Sequence, residues 1–399
     1  MIHLPLNGKP HTPTAADAEL AHDCRHFVGD RPCKPHKQTG GQKVCACDQY
    51  DPIRERVLVI KLDAMGDVLR TTALLPPLAA AHPHAAIDWV TRPESIPLLD
   101  NNPYLADVIG YGPDAIVRLG ATYYDRVINL DAGKVSAGLA SLARGAKKDG
   151  YVLHERGYVV ATNPAAREWL AMGTNDHFKK ANTTRTYQEV MLGILGLAGA
   201  EHKYVLKLRP SEEQWAASYF NELGLSADRP VVGLNIGAGG RWELKKWRLD
   251  GFAELCDRLH ARGCQLVLLG GKAEAGRNAD LIAASNAPII DAGTDHDLRR
   301  FTALAGRCDV MVTGDTLAMH VALALGRRVV VLFGPTSAPE IDLYGLGDKV
   351  APTMDCLGCY KMSCDFVPNC MDLISTDMVE AAVVRQLDAL AGKSQPVEA

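Results

Sequence analysis

The sequence predicts an α/β protein made of two doubly wound units in tandem. Three observations carry this. From about residue 56, short runs rich in Val, Ile and Leu alternate with helix-period segments, as in parallel strands buried on both faces. The alternation pauses at a linker, Ser226-Ala227-Asp228-Arg229-Pro230, and then resumes. The chain has 399 residues, 47% hydrophobic and 23% charged, which suits two or three globular domains rather than one small module or a disordered chain.

Residues 1–52 read as a cysteine-rich segment with weak periodicity and many turn formers, too poor in apolar pattern to bury a core of its own. Residues 53–210 form the first unit. Val57–Lys61 is its first strand, and Asp67 opens a helix that Pro76-Pro77 is expected to end or kink. Ile87–Val90, Val108–Tyr111 and Arg126–Leu130 are further strands. Residues 132–200 are less regular, with a helix over Thr186–Leu197. Residues 211–375 form the second unit, opened by a capping box at Ser211-Glu212-Glu213-Gln214. Its strands are Val231–Ile236, Gln265–Leu269, Ile289–Asp291, Asp309–Thr313 and Arg328–Phe333, with helices over Leu249–Ala261 and Leu317–Leu325. A last helix, about Thr376–Ala391, and a tail complete residues 376–399. In such folds ligands bind beyond the carboxyl ends of the strands, and two units in tandem place the site between them.

Charge excludes some functions. The 43 Lys and Arg against 47 Asp and Glu leave a net charge of −4, without the cationic excess of a nucleic-acid binder. No apolar run approaches the roughly 20 residues of a membrane-spanning helix. Met1–Asn7 lacks the basic start and apolar core of a secretory signal. The expectation is a cytoplasmic protein whose membrane contact, if any, is peripheral.

Three loops carry candidate chemistry. Lys61-Leu62-Asp63-Ala64-Met65-Gly66-Asp67 joins the first strand to its helix. Gly66 permits a tight turn, and Asp67 at the helix start is either a capping residue or a general base facing the cleft. Asp63 is a second carboxylate in this loop. The second loop, Asn235 to Trp247, holds Gly237, Gly239, Lys245 and Lys246, suited to a phosphate, although it matches neither the dinucleotide nor the P-loop fingerprint. The plain alternative is a surface loop with a solvated basic pair. The third, Thr313-Gly314-Asp315-Thr316-Leu317-Ala318-Met319-His320, ends a strand and starts a helix whose amides, with the Thr316 hydroxyl, would make an anion site; His320 follows one turn later. Gly270–Glu274 and Phe333-Gly334-Pro335-Thr336-Ser337 add two more polar strand ends. Several such ends in one unit suit a nucleotide diphosphate.

Together these segments resemble glycosyltransferase family 9, the ADP-heptose:lipopolysaccharide heptosyltransferase family, over about residues 55–390. The specific parts are Met65-Gly66-Asp67-Val68, Lys245-Lys246-Trp247 and Gly314–His320 running on to Leu332–Thr336. The resemblance implies a GT-B fold, two Rossmann-like domains facing across a cleft. It implies inverting transfer from a nucleotide-activated sugar with no cofactor or metal required. Asp67 then matches the general base, and Lys245 the lysine that holds the donor phosphates. Gly66, Gly237, Gly239, Gly314, Asp315, Thr316 and His320 fall on the donor side, and Glu274 matches a carboxylate that contacts the ribose. Asp63 stands where the family has a small hydroxyl residue, Arg70 where it often has His, and Arg248 where proline is common. Asp63 and Arg70 are therefore assigned to the acceptor side, where they leave the acceptor open. The implied partners are ADP-heptose and a lipopolysaccharide, other glycan, lipid-linked, protein or small-molecule acceptor. Alternatives are a different nucleotide sugar, a nucleotide-sugar epimerase, or a binding protein on a decayed scaffold.

Two cysteine clusters stand apart. Cys24, Cys33, Cys45 and Cys47 suit a tetrahedral structural zinc or iron site, with His26 and His36 as spare ligands and free thiols as the alternative. Cys356, Cys359, Cys364 and Cys370 belong to the resemblance, which implies iron in some members; a disulfide or plain thiols is the alternative.

Overall fold

The computed structural model describes residues 20–38, 40, 45, 47–239 and 242–392. It contains two six-stranded sheets. The first runs β3-β2-β1-β4-β5-β6, with β1 Glu55–Ile60, β2 Ala85–Thr91, β3 Asp107–Gly110, β4 Tyr123–Asn129, β5 Arg144–Leu153 and β6 Val159–Ala161. All its pairings are parallel except β5 with β6. The second runs β12-β11-β10-β7-β8-β9 and is parallel throughout, with β7 Val231–Asn235, β8 Gln265–Leu268, β9 Ile289–Asp291, β10 Val310–Gly314, β11 Arg328–Leu332 and β12 Gly347–Val350.

Both sheets reverse their strand order at one place, between β1 and β4 and between β7 and β10. At these switch points neighbouring connections leave in opposite directions and open a crevice for ligand. The sequence pattern explains why the strands are central. In β1, Val57 and Val59 enter one apolar cluster while Leu58 and Ile60 enter another, so both faces are covered. In β11, Val329 and Val331 face one cluster and Val330 and Leu332 the other.

Several elements differ from expectation. The first helix is Met65–Thr71, followed by a 3-10 turn, Thr72–Leu74, and a new helix, Leu75–Ala81. Pro76 and Pro77 lie in the first turn of that new helix, where a missing N–H costs nothing, so they open a helix rather than end one. The helix near residue 211 is Pro210–Glu222; Glu212 reaches back to the Arg209 N–H at 2.7 Å, two residues before the expected box. The irregular-looking residues 132–200 hold β5, whose Gly and Lys content masks its alternation, and the three-residue β6. The helix Tyr187–Leu195 has a true capping box, with Thr186 Oγ1 accepting from the Glu189 N–H and Glu189 Oε2 from the Thr186 N–H. The last helix, Thr376–Leu390, buries Val379, Ala382 and Val383 against the second sheet.

The two halves share an apolar seam. Leu69 and Ala73, from the segment after β1, join Met319, Val321 and Leu323 of the helix Leu317–Ala324 in one buried cluster. Burying a leucine such as Leu69 is worth roughly 1.5–3 kcal/mol. The seam holds the strand ends of both sheets toward a common cleft.

Candidate active site

The cleft has a volume of about 820 Å³. Its walls come from both halves: Gly66, Asp67, Arg70 and Glu94 from the first; Gly237, Gly239, Trp242, Lys245, Glu274, Asp315, Thr316 and His320 from the second. Every expected catalytic and donor-side residue except Gly314 lines it, and Gly314 directly precedes Asp315. Gly240 and Arg241 of the phosphate loop lie outside the described residues.

Asp67 occupies the first turn of the helix Met65–Thr71. Its Oδ2 accepts the Ala64 N–H at 3.1 Å, and its Oδ1 pairs with Arg70 Nη2 at 2.8 Å. Burial alone would raise its carboxyl, but Arg70 and Lys61 outweigh burial and hold it down at about 2. Asp67 is therefore both the cap and an ionised group in the cleft. Lys61, at the end of β1, is buried and bonded to Asp131 after β4. Burial disfavours its charge, but Asp131 more than offsets this and the ammonium stays protonated. Arg70 also stacks on the Tyr187 ring at 3.8 Å. Asp63 diverges from the expected arrangement. It pairs with Arg92 at 2.7 Å and is absent from the cleft wall.

Across the cleft, Lys245 closes a 3-10 turn, Glu243–Lys245. Its Nζ donates to the Asp315 carbonyl at 2.9 Å and to its carboxylate at 3.1 Å. Burial would raise the Asp315 carboxyl, but Lys245 and His320 outweigh it and lower it. Gly314 lets the two segments meet, since a Cβ there would lie 3.2 Å from the Lys245 carbonyl oxygen. Trp247 is fully buried, with its indole N–H on the Ile374 carbonyl at 2.9 Å, and so anchors the phosphate loop rather than touching the cleft.

Thr316 departs from expectation. Its hydroxyl bonds to Thr313 at 3.0 Å and to Asn235 at 3.3 Å, tying β10 to β7 rather than facing an anion. Leu317 and Ala318, which open the helix Leu317–Ala324, still line the cleft. Gly66 and Gly237 serve packing: a Cβ on Gly66 would lie 2.8 Å from the His320 ring, and one on Gly237 would overlap the Glu274 side chain. Gly239 has φ +63°, a conformation that side chains disfavour.

His320 is only 4% exposed. Burial, with Arg70, pushes it down to about 4 against the opposing pull of Asp315 and Asp67, so the ring is neutral. Its Nδ1 bonds the Tyr204 hydroxyl at 3.0 Å, and Gln188 Nε2 donates to that hydroxyl at 3.2 Å. With the Tyr204 hydroxyl donating a hydrogen bond to Nδ1, the neutral ring carries its hydrogen on Nε2, beside Gly66.

Residues with no motif of their own also line the cleft: Glu94, His296, Phe301, Glu340 and Tyr360. Tyr360 had a signal of another kind, since it falls inside the late cysteine run.

The cysteines do not form the expected metal sites among the described residues. Among the described residues no group of three or more His, Cys, Asp and Glu side chains is arranged to hold a metal ion. Cys24, Cys33, Cys45 and Cys47 are half-buried free thiols. Their segment is fastened without them: Arg25 pairs with Asp51 at 3.0 Å and donates to the Ala85 carbonyl at 3.1 Å, and Cys24 forms a backbone bridge with Pro52. Cys356, Cys359 and Cys364 are half-buried and free, while Cys370 is buried against Gly334. Burial and the neighbouring Cys359, Cys364 and Cys356 push the Cys370 thiol up.

Two Rossmann-like domains facing across a cleft of this kind define a GT-B protein. Residues 115–367 match glycosyltransferase family 9 (heptosyltransferase), and the chain belongs to that family, making it a glycosyltransferase. It is 27% identical over 301 residues to lipopolysaccharide heptosyltransferase 2 of Escherichia coli K12, covering 71% of this chain and 83% of that one. Among solved structures it resembles a family 9 glycosyl transferase from Veillonella parvula, with TM-score 0.68, 21% identity, and coverage of 84% and 97%. It also resembles the E. coli ADP-heptose lps heptosyltransferase II, with TM-score 0.60, 22% identity, and coverage of 85% and 100%. These structural likenesses concern the fold.

Proposed function

We propose that this enzyme transfers a heptose from ADP-heptose, with inversion, to a hydroxyl of a lipopolysaccharide acceptor. The observation that carries the reading is the opposition of Asp67 to the Lys245–Asp315 pair across one cleft. Lipopolysaccharide heptosyltransferases of E. coli and Pseudomonas aeruginosa among its relatives support the sugar and the acceptor.

In this mechanism the acceptor oxygen attacks the anomeric carbon from the face opposite the diphosphate. The bond from that carbon to the phosphate oxygen breaks, and its electron pair leaves with ADP. Asp67 takes the acceptor proton. With its carboxyl near 2, Asp67 is a weak base, so it accepts the proton late, once the attacking oxygen has become acidic. Such timing suits an oxocarbenium-like transition state. Lys245 and the amides opening the helix Leu317–Ala324 stabilise the charge gathering on the leaving diphosphate. Asp315 holds Lys245 in place through the two bonds described. These groups supply the base and the anion stabilisation without a divalent ion. Glu274 is placed for the ribose. Arg70, beside Asp67, sits where an acceptor would enter. A lipid-linked acceptor would bring the enzyme to a membrane surface; no helix among the described residues is long and apolar enough to cross one.

A donor panel tests the reading: ADP-heptose, ADP-glucose, UDP-sugars and GDP-sugars with purified protein, following binding and release of free nucleotide. Preference for ADP-heptose, with transfer to lipopolysaccharide core, is the expected result. Preference for another nucleotide sugar would overturn the heptose assignment while leaving the fold and Asp67 in place.

A further inference from the structure

The reaction as described leaves one buried charged cleft residue unused. Glu340 follows the end of β11 and is only 6% exposed, yet it lines the cleft. A buried carboxylate is costly unless hydrogen bonds or charges compensate it. Here the compensation is one-sided. The Tyr360 hydroxyl donates to Glu340 Oε1 at 3.3 Å, and Lys179 Nζ lies 4.0 Å from the same oxygen. No contact of the described residues engages Oε2.

Tyr360 is itself firmly held. Its N–H donates to the Pro335 carbonyl at 2.7 Å, its hydroxyl accepts the Ser337 N–H at 3.3 Å, and Lys179 sits 3.3 Å from its ring centre. The Glu340 carbonyl accepts the Tyr187 N–H at 2.9 Å, which ties this corner to the first domain. The carboxylate is therefore fixed in place, with one oxygen occupied and the other available.

Sheet order says what it faces. Along the second sheet the strand ends run β8, β7, β10, β11. Glu274 follows β8, the glycine loop follows β7, Asp315 follows β10, and Thr336 to Glu340 follow β11. A nucleotide sugar laid along these ends, with its ribose at Glu274 and its diphosphate at Lys245 and Asp315, puts its sugar beside Glu340. Sugar hydroxyls are hydrogen-bond donors, and a fixed carboxylate oxygen is a strong acceptor for them.

We propose that Glu340 is the specificity-determining residue for the donor sugar, accepting hydrogen bonds from its hydroxyls, and that Tyr360 is the positioning residue that holds it. The proposal rests on the nucleotide-sugar reading above. The late cysteine run then has a role in the site, because it carries Tyr360 into the cleft wall.

The test compares wild type, Glu340→Gln and Tyr360→Phe on ADP alone and on the ADP-sugar that wild type prefers in the donor panel. ADP affinity is measured by calorimetry and kcat/KM by nucleotide release. Loss of one charge-assisted hydrogen bond corresponds to about a 10- to 100-fold effect. The expected result is a fall of that size in kcat/KM for Glu340→Gln, a smaller fall for Tyr360→Phe, and unchanged ADP affinity in both. The preference of wild type for its sugar over ADP-sugars lacking one of its hydroxyls should shrink in parallel. Unchanged sugar preference in Glu340→Gln would overturn the proposal. So would equal weakening of ADP in variants that melt with wild type, since that marks a structural role. Failure of the heptose assignment would show separately, in the wild-type preference itself.

Discussion

Asp67 shows how one side chain can satisfy a local and a chemical demand together. It accepts the Ala64 N–H at its helix start and carries the ionised carboxylate that the proposed reaction needs. Arg70 is the main neighbour holding its carboxyl down. Because a base works when deprotonated, activity is lost only as pH falls through the base's own value. In wild type that value is about 2, so Asp67 should place no acid limb in the kcat/KM profile between pH 5 and 8. Arg70→Gln removes the lowering charge, and the acid limb should move upward; a profile unchanged in both shape and height would mean Arg70 does not tune the base. At this scale the sequence was legible where chemistry and backbone coincide: Asp67, Lys245 and Asp315 sit in loops with distinctive neighbours. Glu340 was not legible, because a glutamate after Ala338-Pro339 has no pattern of its own and gains meaning only from the strand order. Thr316 was legible as a strand-end hydroxyl, but not as one consumed by Asn235 and Thr313.

Elements were legible in proportion to their burial. The central strands of both sheets are continuous apolar runs and were readable to within a residue or two. The edge strands β3 and β9 were readable as well, but two outer stretches were not: β5 is Arg144-Gly145-Ala146-Lys147-Lys148-Asp149-Gly150 before it turns apolar and meets β6, and the edge strand β12 is Gly347-Asp348-Lys349-Val350. Each of these stretches has a neighbouring strand on one side only, and its glycines and charged residues interrupt the apolar period. The glycines at the cleft were found for one reason and matter for another. Gly66 faces the His320 ring across the seam, where an added methyl would lie 2.8 Å from it. Gly66→Ala should therefore depress activity and lower the melting temperature by a few degrees, as expected for overpacking of roughly 1–3 kcal/mol. Calorimetric melting alongside a turnover assay checks this, and wild-type values in both would show that the seam is looser than these distances imply.

At the scale of the molecule, the seam around Leu69, Ala73 and Met319 packs the two halves together. His320 lies beside that seam and stays neutral, with its value pushed down to about 4 from the usual 6.5. Between those values the unfolded chain binds a proton that the folded chain refuses. Stability should therefore fall as pH drops from about 6.5 toward 4, and His320→Gln should flatten that part of the curve. Urea midpoints from pH 7 to 4.5 measure it, with identical slopes in both proteins as the contrary result. The tandem α/β architecture was readable from the alternation of elements alone. The seam was not, because nothing local in Leu69 or Ala73 says that their partners lie some 250 residues away (Met319). Asp67 is proposed to activate an acceptor hydroxyl for attack on a sugar whose diphosphate is held opposite. The most direct measurement is turnover of ADP-heptose with lipopolysaccharide core by Asp67→Asn, with ADP binding measured on the same preparation. Turnover should fall by about 100- to 10,000-fold while ADP binds as in wild type. Near-normal turnover would contradict the account.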